Sequence, residues 1–189
     1  KKVRAGRRGG LKSTCARASV VWATMNGHSN FTVLVGASES QANDHRKNFF
    51  DLMVSSEKLL ADYPELMPLA QKWKQPKRQY RLDGRLLEMT HKDEKGRIVF
   101  PDIHSAKFCQ AHVAPYSINS TDPSGLSFVD RFGVTQRPKV IAFDDVQTPQ
   151  SSRSPLMTEE REEIIDRTYG GLYGLGEKSA AIMVCTVRN

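Results

Sequence analysis

Residues 31–41 read FTVLVGASESQ, from Phe31 to Gln41. Seven residues of this stretch, Phe31 to Ala37, form an apolar run of strand length. A run with no polar alternation belongs to a strand covered on both faces, the usual state of a parallel strand. Ser38-Glu39-Ser40-Gln41 then has the S-x-x-Q form of a capping box, which starts a helix. A buried strand that turns directly into a helix is the unit of an α/β fold.

Outward from this unit the alternation continues. On its N-terminal side, residues 12–25 (KSTCARASVVWATM) repeat apolar positions at spacings of three and four, and Asn26-Gly27 ends the predicted helix. On its C-terminal side a helix is predicted to run to about Asp62 and stop before Pro64, with Phe49, Phe50, Met53, Leu59 and Leu60 on its buried face. Residues 64–77 are rich in Pro, Lys and Gln and read as a loop. From Arg78 to about Val113 short strands are expected, with turns at Asp83-Gly84 and Lys95-Gly96. Residues 114–138 contain Pro115, Pro123, Gly125, Gly133 and Pro138 and read as irregular.

Val140 to Phe143 forms a second short apolar strand, which runs into Asp144-Asp145. After a polar loop over 146–156, Thr158 is expected to cap a helix, EEREEIIDRTY, closed by Gly170-Gly171. Its alternating charges from Glu159 to Arg167 read as a solvated face. Ala180 to Val187 is the last strand. The expected architecture is one α/β domain over 1–189, a mainly parallel sheet flanked by helices, with a β-rich hairpin region at 78–138 in its middle.

Composition bounds the function. The chain has 189 residues, 39 % hydrophobic and 26 % charged. These are values of an ordinary soluble domain, and the expected location is cytoplasmic. No apolar run approaches the roughly 18 residues of a membrane-spanning helix, so no membrane partner is expected. Cys15, Cys109 and Cys185 are far apart and odd in number, which argues for a reducing compartment rather than a disulfide framework. His104, Cys109 and His112 are the one local cluster of metal-ligating types, and their spacing fits no common four-ligand zinc pattern.

The net charge is +7. Residues 1–17 hold seven bases (Lys1, Lys2, Arg4, Arg7, Arg8, Lys12, Arg17) and no acid, which leaves 21 bases and 21 acids in the rest. The excess therefore surrounds one segment, Gly6-Arg7-Arg8-Gly9-Gly10-Leu11-Lys12-Ser13-Thr14, between a short strand (Val3 to Ala5) and a helix. Glycines let backbone N–H groups close around phosphate oxygens, and a helix start adds its positive dipole end. A lysine then reaches the β and γ phosphates, and a Ser or Thr hydroxyl ligates Mg²⁺. The glycine that ordinarily precedes the lysine is Leu11 here. Asp144 and Asp145, at the end of a buried strand, supply what such a loop lacks: a metal-binding carboxylate and a second one that polarises the attacking water.

Together these segments resemble the ATPase domain of the large terminase subunit of tailed bacteriophages, the motor that packages DNA. The loop Arg8 to Thr14 is similar to that family's deviant phosphate loop, with an arginine four residues before the lysine. Phe31 to Gln41 resembles the strand and helix start that follow it. Phe143 to Thr148, with Ser151 to Pro155 behind it, resembles the acidic strand and its loop. Cys185-Thr186-Val187 resembles the coupling motif, in which a threonine senses the γ-phosphate.

The resemblance implies a P-loop NTPase-type sheet, ATP and Mg²⁺ as ligands, and hydrolysis coupled to translocation of double-stranded DNA. It implies nucleotide contacts from Arg8, Gly9, Gly10, Leu11, Lys12, Ser13 and Thr14, and metal ligation by Ser13 and Asp144. Catalytic roles fall to Lys12, Arg8, Asp145 and Thr186. Asp145 stands where the family usually has glutamate, one methylene longer. Arg153, after the acidic strand, is a candidate for insertion into a neighbouring subunit's site. The portal, the small terminase subunit and further copies of the chain are the implied partners. The family's upstream adenine-binding segment and downstream nuclease domain are missing, which implies a fragment with weak turnover on its own. The alternatives are another P-loop nucleic-acid motor, such as a helicase, and an inactive remnant or non-catalytic nucleotide-binding module.

Overall fold

The computed structural model describes residues 11–67, 77–82, 84–90, 93, 95–120, 123, 125–148, 153–172 and 178–185. Helix α1 covers Lys12–Met25, strand β1 Phe31–Gly36 and helix α2 Glu39–Ser55. A short helix α3, Glu57–Asp62, and a 3₁₀ turn, Pro64–Leu66, follow. Then come β2 (Lys77–Leu82), β3 (Arg85–Thr90), β4 (Ile98–Val99), β5 (His112–Ser117), β6 (Phe128–Val129), β7 (Thr135–Gln136) and β8 (Val140–Asp144). Helix α4 is Pro155–Ile164, extended by a π turn, Ile165–Tyr169, and a 3₁₀ turn, Gly170–Leu172, before β9, Ala180–Val184.

The α/β class is as expected. Seven strands form one mixed sheet in the order β2-β3-β4-β5-β1-β8-β9. Its β5-β1-β8-β9 half is parallel, and its β2-β3-β4 part joins β5 antiparallel. The turns at Gly84 and Gly96 fall where expected, both glycines at positive φ. Every residue of β1 is buried. Alternate side chains feed two cores: Phe31, Val33 and Val35 pack with Ile141, Phe143, Tyr169 and Leu172. Leu34 packs on the other face with Val140, Ala142, Val20, Met25, Phe49 and Met53. Helices α1, α2 and α3 thus cover one face, and the α4 segment with the β6-β7 hairpin covers the other.

Four local expectations are corrected. The helix after β1 does not run unbroken to Asp62: Ser56 turns extended, at φ −81° and ψ 108°, and recaps α3 through its hydroxyl. Residues 114–117 are not irregular but continue β5, whose six residues are in register with all six of β1. Pro115 is tolerated there because its neighbours' N–H groups face β1, as His112 N–H donates to Asn30 O and Ile118 N–H to Gly36 O. The proline nitrogen faces the β4 side, where pairing ends at Val113. Thr158 does not cap α4: Ser154 does, accepting from Met157 N–H, with Pro155 at the first helical position. Arg161 is not on a solvated face; it is 8 % exposed and donates to the Val146 carbonyl. Among the described residues no helix is long and apolar enough to cross a membrane.

Candidate functional site

In a parallel sheet the carboxyl ends of the strands open on one edge, and that edge is where open α/β sheets bind ligands. Here the ends of β1, β8 and β9 meet the start of α1. Leu11, at the cap position of α1, adopts left-handed backbone at φ 53°. It brings no side-chain oxygen, so no side chain caps the first N–H groups of α1. A helix start left open in this way favours an anion. No acid lies in the first turn.

Two residues of that turn reach across the sheet. Lys12 Nζ donates to Cys185 O at 2.8 Å, at the end of β9. Ser13 Oγ donates to Asp144 Oδ1 at 2.7 Å, at the end of β8. The expected partners Lys12, Ser13 and Asp144 are therefore together. Thr14 lies exposed on the same turn. Asp145 follows in left-handed backbone, φ 46°, and its N–H donates to Val184 O at 2.9 Å. This bond ties the acidic turn to β9. Arg153 lies exposed just before α4. Arg8, Gly9, Gly10 and Thr186 lie outside the described residues.

The start of α2 supplies two more groups. Gln41 spans from β1 to β8: its Oε1 accepts from Ala37 N–H at 2.8 Å, and its Nε2 donates to Asp144 O at 3.2 Å. His45 Nδ1 stands 3.6 Å from Asp144 Oδ2. Burial pushes the imidazole below its ordinary pKa, against the opposing pull of the Asp144 carboxylate. Sequence reading missed both roles. Gln41 entered only as the second half of a capping box, and Ser38 does accept from Gln41 N–H. Its side chain, however, serves Ala37 and Asp144 instead of the cap. The available signal was the spacing of four between Gln41 and His45, which puts both on one helix face beside the strand end.

Gly36 permits this approach. A Cβ there would stand 2.8 Å from Ala42 N and 3.2 Å from Gln41 Cβ. The start of α2 thus sits against the end of β1 as closely as a glycine allows.

Ser13 and Asp144 offer two hard oxygen donors. Mg²⁺ is ordinarily held by one or two carboxylates, with waters and substrate phosphates completing its octahedron, and the pair fits that demand. Among the described residues no group of three or more His, Cys, Asp or Glu side chains is placed to hold a metal ion. The His104, Cys109 and His112 trio serves separate purposes. Asp102 accepts from Cys109 Sγ at 3.1 Å and Arg131 Nη1 at 2.8 Å, with His104 Nε2 at 3.3 Å. Burial and this neighbouring carboxylate push the Cys109 thiol up to about 11. His112 instead stacks on Phe128, with centroids 3.8 Å apart and planes 2° from parallel.

No family model matches this chain, and no curated protein is significantly similar to it.

Proposed function

We propose that the chain binds Mg²⁺-ATP between α1 and the ends of β8 and β9. In this proposal it is the ATP-hydrolysing motor domain of a phage-type large terminase subunit, of P-loop type, which drives double-stranded DNA into a capsid. The observation that carries the proposal is the 2.7 Å contact between Ser13 and Asp144. It joins a hydroxyl in the first turn of a glycine-preceded helix to a carboxylate at the end of a buried parallel strand. A phosphate loop and its acidic strand need this pair side by side.

In the proposed reaction the triphosphate lies on the open start of α1, with Lys12 against the β and γ phosphates and Arg8, Gly9 and Gly10 around them. Ser13 and Asp144 would hold Mg²⁺, which when bound neutralises charge on the phosphates. Asp145 orients a water and takes its proton as the oxygen attacks the γ-phosphorus. The bond from γ-phosphorus to the bridging oxygen breaks, and ADP and inorganic phosphate leave. Because Lys12 and Asp145 both bond to the end of β9, a change of ligand at the loop is felt by the strand that leads to Thr186. DNA, the portal, the small subunit and neighbouring copies are partners by resemblance, in the bacterial cytoplasm.

Single-turnover hydrolysis of ATP at protein excess, with and without double-stranded DNA, tests the proposal. Asp145→Asn should keep Mg²⁺-ATP bound and lower the rate about 100-fold or more, the scale of a general base. Lys12→Ala should lose binding and hydrolysis together. Unchanged hydrolysis in Lys12→Ala would refute the proposed site.

A further inference from the structure

Asp144 is gripped from two directions by α2, and the grip is specific in its chemistry. Gln41 holds the main-chain carbonyl of Asp144 at 3.2 Å. One helical turn later, His45 faces the carboxylate oxygen that Ser13 does not use, at 3.6 Å. The two carboxylate oxygens are thus divided, Oδ1 to the hydroxyl and Oδ2 to the imidazole.

The tautomer of His45 follows from its surroundings. Nε2 is buried and meets no hydrogen-bond partner. A proton placed there would bury a donor with nothing to accept it and leave the Nδ1 lone pair facing the Asp144 carboxylate, acceptor against acceptor. The proton therefore sits on Nδ1, the nitrogen on the Asp144 side, 3.6 Å from Oδ2. At 3.6 Å, longer than a hydrogen bond, an N–H still attracts Oδ2 electrostatically and favours the rotamer in which Oδ1 meets Ser13.

We propose that His45 is the positioning residue of the metal-binding acid: its Nδ1–H, held in place by α2, sets the orientation in which Asp144 and Ser13 together take a divalent cation. The inference rests on the reading of Ser13 and Asp144 as the Mg²⁺ ligands and deepens it by one residue. Groups that orient a ligating carboxylate typically change metal affinity about 10–100-fold when removed.

The test is a titration of Mn²⁺ into the 189-residue chain with a non-hydrolysable ATP analogue, free Mn²⁺ being read by electron paramagnetic resonance. Four variants are compared after circular dichroism establishes that each is folded. His45→Ala and His45→Leu remove the N–H and should weaken Mn²⁺ about 10–100-fold. His45→Asn keeps an N–H donor near the position of Nδ1 and should bind within about threefold of the unsubstituted chain. A residue that only filled space would give the opposite order, with Leu retained and Asn lost. Asp144→Asn separates the two levels of the argument. If it abolishes Mn²⁺ binding while His45→Ala and His45→Leu leave it intact, the positioning role is overturned and the metal ligands stand. If the unsubstituted chain takes up no Mn²⁺ with the analogue, both readings fall.

Discussion

Ser13 and Asp144, 131 positions apart in the chain, are joined by a hydrogen bond of 2.7 Å. The contact binds the first turn of α1 to the end of β8, so it is structural as well as a candidate metal site. Ser13→Ala removes the donor and leaves Asp144 Oδ1 without it, in a side chain only 16 % exposed. Hydrogen bonds to charged groups contribute about 1.5–3 kcal/mol. Urea denaturation of Ser13→Ala should show a loss of about that size, reduced to the extent that water replaces the hydroxyl. Ser13→Thr, which keeps the oxygen, should recover most of it.

Leu11 occupies left-handed backbone at φ 53° and is 68 % exposed. That region costs a residue with a Cβ roughly 1–2 kcal/mol, and a leucine that is mostly exposed recovers little by packing. Leu11→Gly should therefore raise the unfolding free energy measured in urea, by about 1 kcal/mol or less once the extra freedom of glycine in the unfolded chain is set against it. It should also leave Mg²⁺-ATP binding intact or tighter, because glycine is what a phosphate loop ordinarily carries here. A destabilised Leu11→Gly would mean that the leucine side chain packs in the folded state.

Gly36 meets the opposite constraint. Its Cα is bare because α2 lies against it, with Ala42 N 2.8 Å from the position a Cβ would take. The obstacle is backbone and cannot rotate away. Gly36→Ala should cost about 1–3 kcal/mol, the usual price of forced overpacking. It should also weaken Mg²⁺-ATP binding, since a shift of α2 moves Gln41 and His45 off Asp144. Binding unchanged in a measurably destabilised Gly36→Ala would separate the helix from the site.

His112 is half-buried against Phe128 and Phe31. Burial, with Arg97 adding to it and Asp93 opposing, lowers its pKa from 6.5 to about 4. Above pH 6.5 the ring is neutral in both the folded and unfolded chain, and stability is undiminished. As pH falls from 6.5 toward 4, the unfolded chain takes up a proton that the folded one refuses, so stability declines and then levels. The full effect is of the order of 3 kcal/mol. His112→Phe keeps the stack and removes the titration. The difference in urea stability between the two proteins should therefore change across pH 4–6.5 and stay constant above it. A pH-independent difference would place His112 in water.

The frame of the fold was legible because it depends on local rules. The apolar run at Phe31, the three-and-four spacing of α1 and the acid-ended strand at Val140 all read correctly, and the fold brings Ser13 to Asp144 and Lys12 to Cys185. What was missed depends on neighbours. Pro115 looks like a breaker until pairing with β1 shows that its nitrogen faces a side without a partner. Arg161 sits among alternating charges, and only the Val146 carbonyl explains its burial. The spacing of Gln41 and His45 marks a shared helix face but does not say that Asp144 lies against it, because that contact closes across about a hundred residues of intervening chain.

The central claim is that the junction of α1, β8 and β9 binds a magnesium-bound nucleoside triphosphate. Isothermal titration of ATP into the chain, with Mg²⁺ present and again with EDTA, addresses it directly. The expected result is binding that requires Mg²⁺ and that Lys12→Ala weakens at least about tenfold, the equivalent of one charge-assisted hydrogen bond. Absence of any heat of binding in the unsubstituted chain, or equal affinity in Lys12→Ala, would contradict it.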